Sequence, residues 1–228
     1  EKTAALARAM YVSEATVRRD IAEMEKLGLV RRSHGGLVLF ENSNDEPSIA
    51  IRMNEMEAEK QKIARLALPL LKPFRTLFLD SSSTVSVLAK HFHEQHKTVI
   101  STGIQAVTFL SGKENVDVFL PGGFLHYNSN SVEGAMTVRQ LENYNFDATV
   151  CSCGGVTEDG VTEATMNQCI IKNTVMPHAG TNILLADHTK IGNVCAFKIC
   201  RLADFDVIVT DEAPSAAFAD FCRANDIA

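Results

Sequence analysis

No apolar run in this chain approaches the ~18 residues that a membrane-spanning helix needs, and no secretory leader opens it. The expectation is a protein with no membrane partner. The six cysteines (Cys151, Cys153, Cys169, Cys195, Cys200 and Cys222) include no CxxC pair, which argues against a zinc knuckle or a dithiol centre. Most sit in or beside apolar runs, as small buried hydrophobes do, and fit a reduced, cytoplasmic compartment. Internal repeats and low-complexity tracts are missing, so solenoids are excluded. Positive charge is also scarce. The 228 residues carry a net charge of −6, which looks wrong for a nucleic-acid binder.

That charge is unevenly spread. Residues 1–40 hold seven Lys and Arg against five Asp and Glu, a balance of +2. The remainder holds fifteen against twenty-three, a balance of −8. The basic part would approach DNA and the acidic part would be repelled. A charge of +2 is modest, so tight binding calls for two or more copies on one DNA. A hydrophobic content of 46% supports a sizeable core in one large or two modest domains.

Residues 12–39 organise the rest. Ser13 is a good N-cap, because its side-chain oxygen can accept from the free amides of a helix start. Val17, Ile21, Met24 and Leu27 then form one apolar stripe at helical spacing. Thr16, Arg18, Arg19, Glu23 and Lys26 lie on the opposite face. Gly28 stops the helix. Residues 29–34 read as a short strand, Gly35-Gly36 as a turn, and residues 37–40 as a return strand. Residues 3–10 supply a preceding helix, with Leu6 and Met10 one turn apart. The pattern is helix, turn, helix, hairpin, which is a winged helix-turn-helix. Thr16, Arg18 and Arg19 sit on the first turns of the second helix, where such motifs meet base edges. Arg31, Arg32 and His34 would reach phosphates from the wing. The bland alternative is an amphipathic helix and hairpin with solvated arginines.

The wording separates the two. Val12-Ser13-Glu14-Ala15-Thr16-Val17-Arg18-Arg19-Asp20, then Leu27-Gly28-Leu29-Val30-Arg31, then His34-Gly35-Gly36, closely resembles the signature of the DeoR family of bacterial transcriptional regulators. The resemblance implies a winged-helix DNA-binding domain joined to a sugar-phosphate-sensing domain. It also places one more helix before residues 3–10. Because the chain opens at Glu1 rather than Met, a partly truncated N-terminal domain is expected.

Residues 41–51, polar and acidic with Pro47, read as a linker. Residues 52–71 have the pattern of one helix, with Ile63, Leu66 and Leu70 on its apolar side, and resemble the family's linker helix. From Leu77 short apolar runs alternate with helical stretches. Strands are expected near residues 77–80, 99–101, 116–120, 148–153, 183–187 and 207–210. Helices are expected near 84–92, 104–110, 136–142, 164–176 and 213–225. The fold class is therefore α/β: an N-terminal winged helix-turn-helix followed by a mainly parallel sheet covered by helices on both faces. The domain plan is 1–40 for DNA, 41–51 as linker, and 52–228 for effector binding and oligomerisation.

In open parallel sheets ligands bind beyond the carboxyl ends of the strands. The first strand runs into Asp80-Ser81-Ser82-Ser83-Thr84 and a helix. Free amides, hydroxyls and the positive end of a helix dipole suit a phosphate there. Simple helix capping by Ser83 or Thr84 is the competing explanation. Thr102-Gly103, Gly122-Gly123 and Gly154-Gly155 follow other strands, where glycine lets a ligand approach the backbone. Lys190 and Lys172 are candidate cations. The segments 80–84, 101–102, 122–123, 133–134, 154, 172, 187–192 and 206–211 resemble the DeoR-type sensor, itself similar in fold to ribose-5-phosphate isomerase. The resemblance implies a phosphorylated sugar effector with its phosphate on residues 80–84 and near Lys190. Ser82-Ser83 stands where the family usually carries Gly-Thr.

A rival reading is an isomerase on the same fold. Such an enzyme needs a positioned carboxylate to move a proton beside a carbonyl. Residues 153–155 are Cys-Gly-Gly where its acid-rich motif would stand, and Glu158, Asp159 and Glu163 read as a loop and a helix start. A metal sensor built on His91, His93 and His96 is a third reading, set against a solvated helix end. The sequence reading is a non-enzymatic repressor of a carbohydrate-use operon. It needs no cofactor or metal, binds double-stranded operator DNA as a homo-oligomer (dimer or higher), and answers to a sugar phosphate.

Overall fold

A computed structural model of the chain describes residues 3–26, 30–33, 36–39 and 47–228. The N-terminal part contains α1 (Thr3–Ala9), α2 (Glu14–Lys26) and the hairpin β1 (Val30–Ser33) and β2 (Gly36–Leu39). Tyr11, with φ 53°, turns the chain sharply between the helices. Val17 and Ile21 bury the expected stripe against Ala7 and Leu6. The hairpin pairs Val30 with Leu39 and Ser33 with Gly36, antiparallel. Leu27, Gly28, Leu29, His34, Gly35 and Phe40 lie outside the described residues.

The helix expected over residues 52–71 is three pieces. It runs as α3 (Ile49–Asn54), α4 (Glu57–Ala67) and a 3₁₀ turn, Leu68–Leu71, with Pro69 near its start. Met56 sits between α3 and α4 in the left-handed region, φ 51°. Apolar spacing is the same on both sides of such a break, so periodicity does not reveal it. α3 also begins inside the stretch expected to be linker.

The rest is built on β3 (Thr76–Leu79), α5 (Ser83–His91), β4 (Lys97–Ser101), α6 (Ile104–Leu110) and β5 (Val116–Phe119). Then come the hairpin β6 (Phe124–His126) and β7 (Ser131–Glu133), α7 (Ala135–Leu141), β8 (Phe146–Ser152), and the hairpin β9 (Gly155–Thr157) and β10 (Gly160–Glu163). The chain closes with α8 (Met166–Val175), β11 (Ala179–Leu185), β12 (Phe197–Cys200), β13 (Val207–Val209) and α9 (Ala216–Ala224).

Six strands form one sheet in the order β13-β11-β8-β3-β4-β5, every pair parallel. Successive side chains of a strand point to opposite faces. Leu77 and Leu79 accordingly join α4, α5 and α6 in one core, while Phe78 joins Ile100, Leu141, Ile171 and Val175 in another. Both faces are covered, which is why these strands read as continuous apolar runs. The short β6–β7 hairpin and the antiparallel set β12-β10-β9 lie outside that sheet, and sequence periodicity found neither. Glu163, read from sequence as a helix start, ends strand β10.

The chain leaves β3 toward β4 and β5, then crosses to β8 on the other side. The strand order thus reverses between β3 and β8, and a crevice opens at their carboxyl ends. Phe78, fully buried and edge-on to Phe146 at 5.6 Å between ring centroids, holds the middle of that region. Phe78→Ala is expected to lower the unfolding free energy by about 3–5 kcal/mol, seen as an earlier urea midpoint with unchanged slope. A loss below about 1 kcal/mol would mean that this face relaxes around the cavity rather than being tightly packed.

Candidate functional site

Two surfaces carry the candidate residues. On α2, the Ser13 hydroxyl caps the helix by accepting from the Thr16 amide at 3.1 Å and shares a hydrogen bond with the Thr16 hydroxyl at 2.8 Å. Arg18 and Arg19 project outward, 68% and 78% exposed. Arg18 meets Glu14 at 3.0 Å and Arg19 meets Asp20 at 3.7 Å. Such exposed pairs are worth at most ~1 kcal/mol. Arg31 and Arg32 lie on β1 opposite Val38 and Leu37. The side chains of Arg31 and Arg32, and all of His34, fall outside the described residues.

The second surface is a cavity of about 710 Å³ at the carboxyl ends of the central strands. Ser81, Ser82, Ser83 and Thr84 line it after β3, Ser152, Cys153 and Gly154 after β8, and Asp187, Thr189 and Lys190 after β11. Asp80, 1% exposed, shapes the first loop. Its Oδ1 accepts from the Ser82 amide at 2.9 Å and the Ser82 hydroxyl at 2.6 Å, and its Oδ2 accepts from the Ser152 amide at 2.8 Å. Ser82 in turn caps α5 by accepting from the Val85 amide at 3.2 Å. The first amides of a helix have no carbonyl within the helix to bond, and those of Ser83 and Thr84 stand at the positive end of the dipole, beside the cavity.

Lys172 and Glu163 close the floor. The buried Lys172 ammonium donates to the Ser152 carbonyl at 2.7 Å and to Glu163, and lies 3.4 Å from Asp80. Burial opposes its charge, but Glu163 and Asp80 more than offset this and hold its pKa above the ordinary lysine value. The sequence offered Lys172 as a cation for phosphate; the structure spends its charge on two carboxylates. Behind the floor, buried Glu133 accepts from Ser131 (2.6 Å), Gln168 (2.6 Å) and Asn167 (2.9 Å). Gln168 also accepts from the cavity-lining Ser81 at 2.9 Å.

Four of the sequence's glycine and threonine candidates are not cavity-lining. Thr102 and Gly103 lie beneath the first loop, where a Cβ at Gly103 would meet the Ser81 Cα at 2.8 Å. They make room for the loop rather than for a ligand. Gly122 and Gly123 pack on α7, through Gln140 and Thr137. Conversely, Arg52, Glu55, Lys60, Glu163 and Gln168 line the cavity without having been singled out as binding residues. Their signal was absent because they sit on local elements that only the tertiary fold brings together. Cys153 borders the cavity, and burial pushes its thiol well above the usual range, away from thiolate chemistry.

Among the described residues one group offers three metal-type ligands within 4.8 Å: His188, Asp211 and Glu212. Its His188 Nδ1 and Asp211 Oδ2 face each other at 2.7 Å. Asp211 also accepts from the His188 amide at 2.7 Å, fixing residues 187–190 against the end of β13. His91, His93 and His96 are exposed and take no part in such a group among the described residues.

Comparison with known proteins gives two family matches. The family described as the DeoR C-terminal sensor domain matches residues 55–212, and the DeoR-like helix-turn-helix domain matches residues 2–43. The HTH-type transcriptional repressor GlcR of Bacillus subtilis (strain 168) is 31% identical over 218 residues, 96% of this chain and 84% of that protein. The HTH-type transcriptional regulator GolR of Listeria innocua serovar 6a is 32% identical over 208 residues, 90% of this chain and 82% of that protein. The lactose phosphotransferase system repressor of Staphylococcus aureus (strain N315) is 28% identical, covering 92% and 85%. Among solved structures, eIF2B beta from Chaetomium thermophilum shares the fold at a TM-score of 0.50 and 14% identity, over 75% of this chain and 55% of that one. Ribose 5-phosphate isomerase A from Methanocaldococcus jannaschii aligns at a TM-score of 0.44 and 17% identity, over 59% of this chain and 54% of that one. This chain thus spans about half the length of each of these two structures.

Two measurements follow from the site's electrostatics. Lys172→Met would leave Asp80 and Glu163 buried without a cation, and is expected to cost about 3–5 kcal/mol in chemical denaturation. Adding Glu163→Gln should recover part of that loss; strict additivity of the two changes would show that they are not coupled. For the second, the hydrogen bond to Asp211 raises the His188 pKa. Burial pushes Asp211 up, but the hydrogen bonds from the His188 side chain and amide outweigh it and the carboxyl sits below its ordinary value. A raised histidine stabilises the fold below its unfolded pKa and loses that contribution as pH rises through the folded value. A lowered carboxylate contributes above its unfolded pKa and loses it as pH falls. The pair therefore helps most between the acid range and neutrality. Asp211→Asn should flatten Tm against pH at both ends of that window; an unchanged profile would remove the pair from the account.

Proposed function

The chain belongs to the DeoR family of transcriptional regulators, and on that premise we propose that it represses carbohydrate-use genes under control of a phosphorylated sugar. It is a DNA-binding transcriptional regulator. The finer reading adds that Thr16, Arg18 and Arg19 meet the operator through the major groove, with Arg31, Arg32 and His34 on the wing. The domain plan 1–40, 41–51 and 52–228, the reduced cytoplasmic setting and a homo-oligomer of two or more copies belong to the same reading. Paired recognition helices would match paired half-sites.

The observation that supports the effector reading is the helix start that opens on the cavity. The lining cations Arg52, Lys60, Lys172 and Lys190 are matched by Glu55, Glu163, Asp187 and the buried Asp80 beside Lys172, so the side-chain charges are level. The Ser83 and Thr84 amides at the α5 N-terminus, with the positive end of its dipole, then tip the cavity toward an anion. The phosphate takes the Ser83 and Thr84 amides and Lys190, and the sugar hydroxyls take the polar floor. An isomerase reading asks for a carboxylate free to move a proton. Glu163 lines the cavity, but it holds Lys172 and accepts from the Ala164 amide at 3.0 Å. GlcR, GolR and the Staphylococcus aureus relative are all named as regulators or repressors, which favours the same side.

Thermal stabilisation against a panel of sugar phosphates, each paired with its unphosphorylated sugar, tests the effector. A ligand at about a hundred times its Kd adds ~2.7 kcal/mol to stability. A rise confined to a phosphorylated member is expected, and no rise with any member removes the sugar-phosphate reading. Arg18→Ala or Arg19→Ala should weaken operator binding by about 1–3 kcal/mol per lost base contact and relax discrimination at the bases contacted. The effector-induced rise in Tm should stay unchanged in both. If it vanishes as well, the two modules are not separable.

A further inference from the structure

The loop after β11 carries a side chain to which the proposed function gives no role. Asp187, Thr189 and Lys190 of that loop line the cavity, whereas His188 between them does not. Its imidazole meets the end of β13 instead, where Asp211 and Glu212 stand. The three side chains bring one nitrogen and two carboxylate oxygens within 4.8 Å of one another. His188 and Asp211 are 23 residues apart in the chain, so local sequence gives no sign of the group.

We propose that His188, Asp211 and Glu212 bind a divalent transition-metal ion of the zinc type, which clamps the loop after β11 to the end of β13. Zinc takes imidazole nitrogen and carboxylate oxygen at about 2.0–2.2 Å, and a site with three protein ligands keeps its fourth position for water. One imidazole with two carboxylates suits such an ion better than magnesium, which holds on to its waters and prefers oxygen alone. Asp211 is the fixed member. It is 4% exposed, and its Oδ1 accepts from the His188 amide at 2.7 Å. A ligating carboxylate is oriented by just such an outer hydrogen bond, and here it leaves Oδ2 facing His188 Nδ1.

The other two ligands are free to close on the ion. Nδ1 and Oδ2 stand 2.7 Å apart. Two ligand atoms on a tetrahedral ion with bonds of about 2.1 Å stand about 3.4 Å apart. The His188 side chain is 38% exposed, so the ring can move that far without disturbing the core. Glu212 is exposed and makes no hydrogen bond or ion pair among the described residues. The local charge supports the same reading. The hydrogen bond to Asp211 raises the His188 pKa, burial opposes it, and the charges of Asp211, Glu212 and Asp187 add to the rise. A place that favours one positive charge on an imidazole attracts a doubly charged ion more strongly. The ion takes the place of the proton between Nδ1 and Oδ2.

Calorimetric titration of the full chain with zinc as the probe, after treatment with a chelator, tests this. Zinc should bind and raise Tm, and magnesium should not reproduce the rise. His188→Gln and Glu212→Gln, each made alone, should weaken zinc at least tenfold, since even the outer partners of a metal site are worth about 10–100-fold in affinity. Glu212 has no partner to lose in the metal-free protein. Glu212→Gln should therefore leave the metal-free Tm unchanged and remove most of the zinc-induced rise, which a merely structural role would not do. Unchanged zinc affinity in either variant overturns the proposal, because the ion then sits elsewhere, on the exposed histidines or the thiols. So does a lack of zinc binding by the unsubstituted protein, and a rise in Tm matched by magnesium overturns the transition-metal assignment. If His188→Gln fails to fold, the Glu212→Gln arm decides alone.

Discussion

The Asp80 carboxylate is the point on which the molecule's two halves of sheet depend. It sits at the carboxyl end of β3, beside the place where strand order reverses. One oxygen organises Ser82, and through it the start of α5; the other holds the Ser152 amide at the end of β8 and meets Lys172 from α8. A buried carboxylate is tolerated only when donors and a cation surround it. Meeting that condition draws four elements to one spot and leaves a gap among their ends. The cavity is the consequence of satisfying Asp80, not an addition to a finished fold.

The same requirement explains why the cavity wall mixes rigid and yielding parts. The floor is a closed polar network. Lys172, Glu163 and Asp80 neutralise one another, and Glu133 is bonded to Ser131, Gln168 and Asn167. A fully satisfied network of this kind fixes one arrangement. The side formed by α3 and α4 is different. There the Lys60 ammonium holds the end of a six-residue helix across a left-handed residue, donating to the Glu55 carbonyl at 2.7 Å.

The exposed surface completes the picture. Arg18 and Arg19 are held by weak surface pairs, available to a stronger anion. The residues beyond the N-terminal 40 carry the acidic excess, a sign of charge that DNA repels. Phe119 on β5, Phe124 and Leu125 on β6, Tyr127 on the β6–β7 connection and Met136 on α7 are exposed apolar side chains.

What was legible in the residues follows a simple physical division. Periodicity and capping are local, so Ser13, Val17 and Ile21 announced α2, and the apolar runs at 77–79 and 148–152 announced buried parallel strands. The loop after β3 was readable as a helix start, because hydroxyl residues between a strand and a helix cap it, as Ser82 does. Long-range pairing is not local. Nothing near Glu163 indicates that Lys172 will meet it, and nothing near Lys60 shows that its helix is broken at Met56. Gly103 and Gly123 advertise close approach without saying to what, and the approach was to the chain itself. Composition and local order in the sequence alone determined the fold class, the family and the hydroxyl-rich helix start after β3. Which charges are spent inside the protein and which remain for a ligand was decided by the tertiary structure, because neutralisation depends on distance in space, not along the chain.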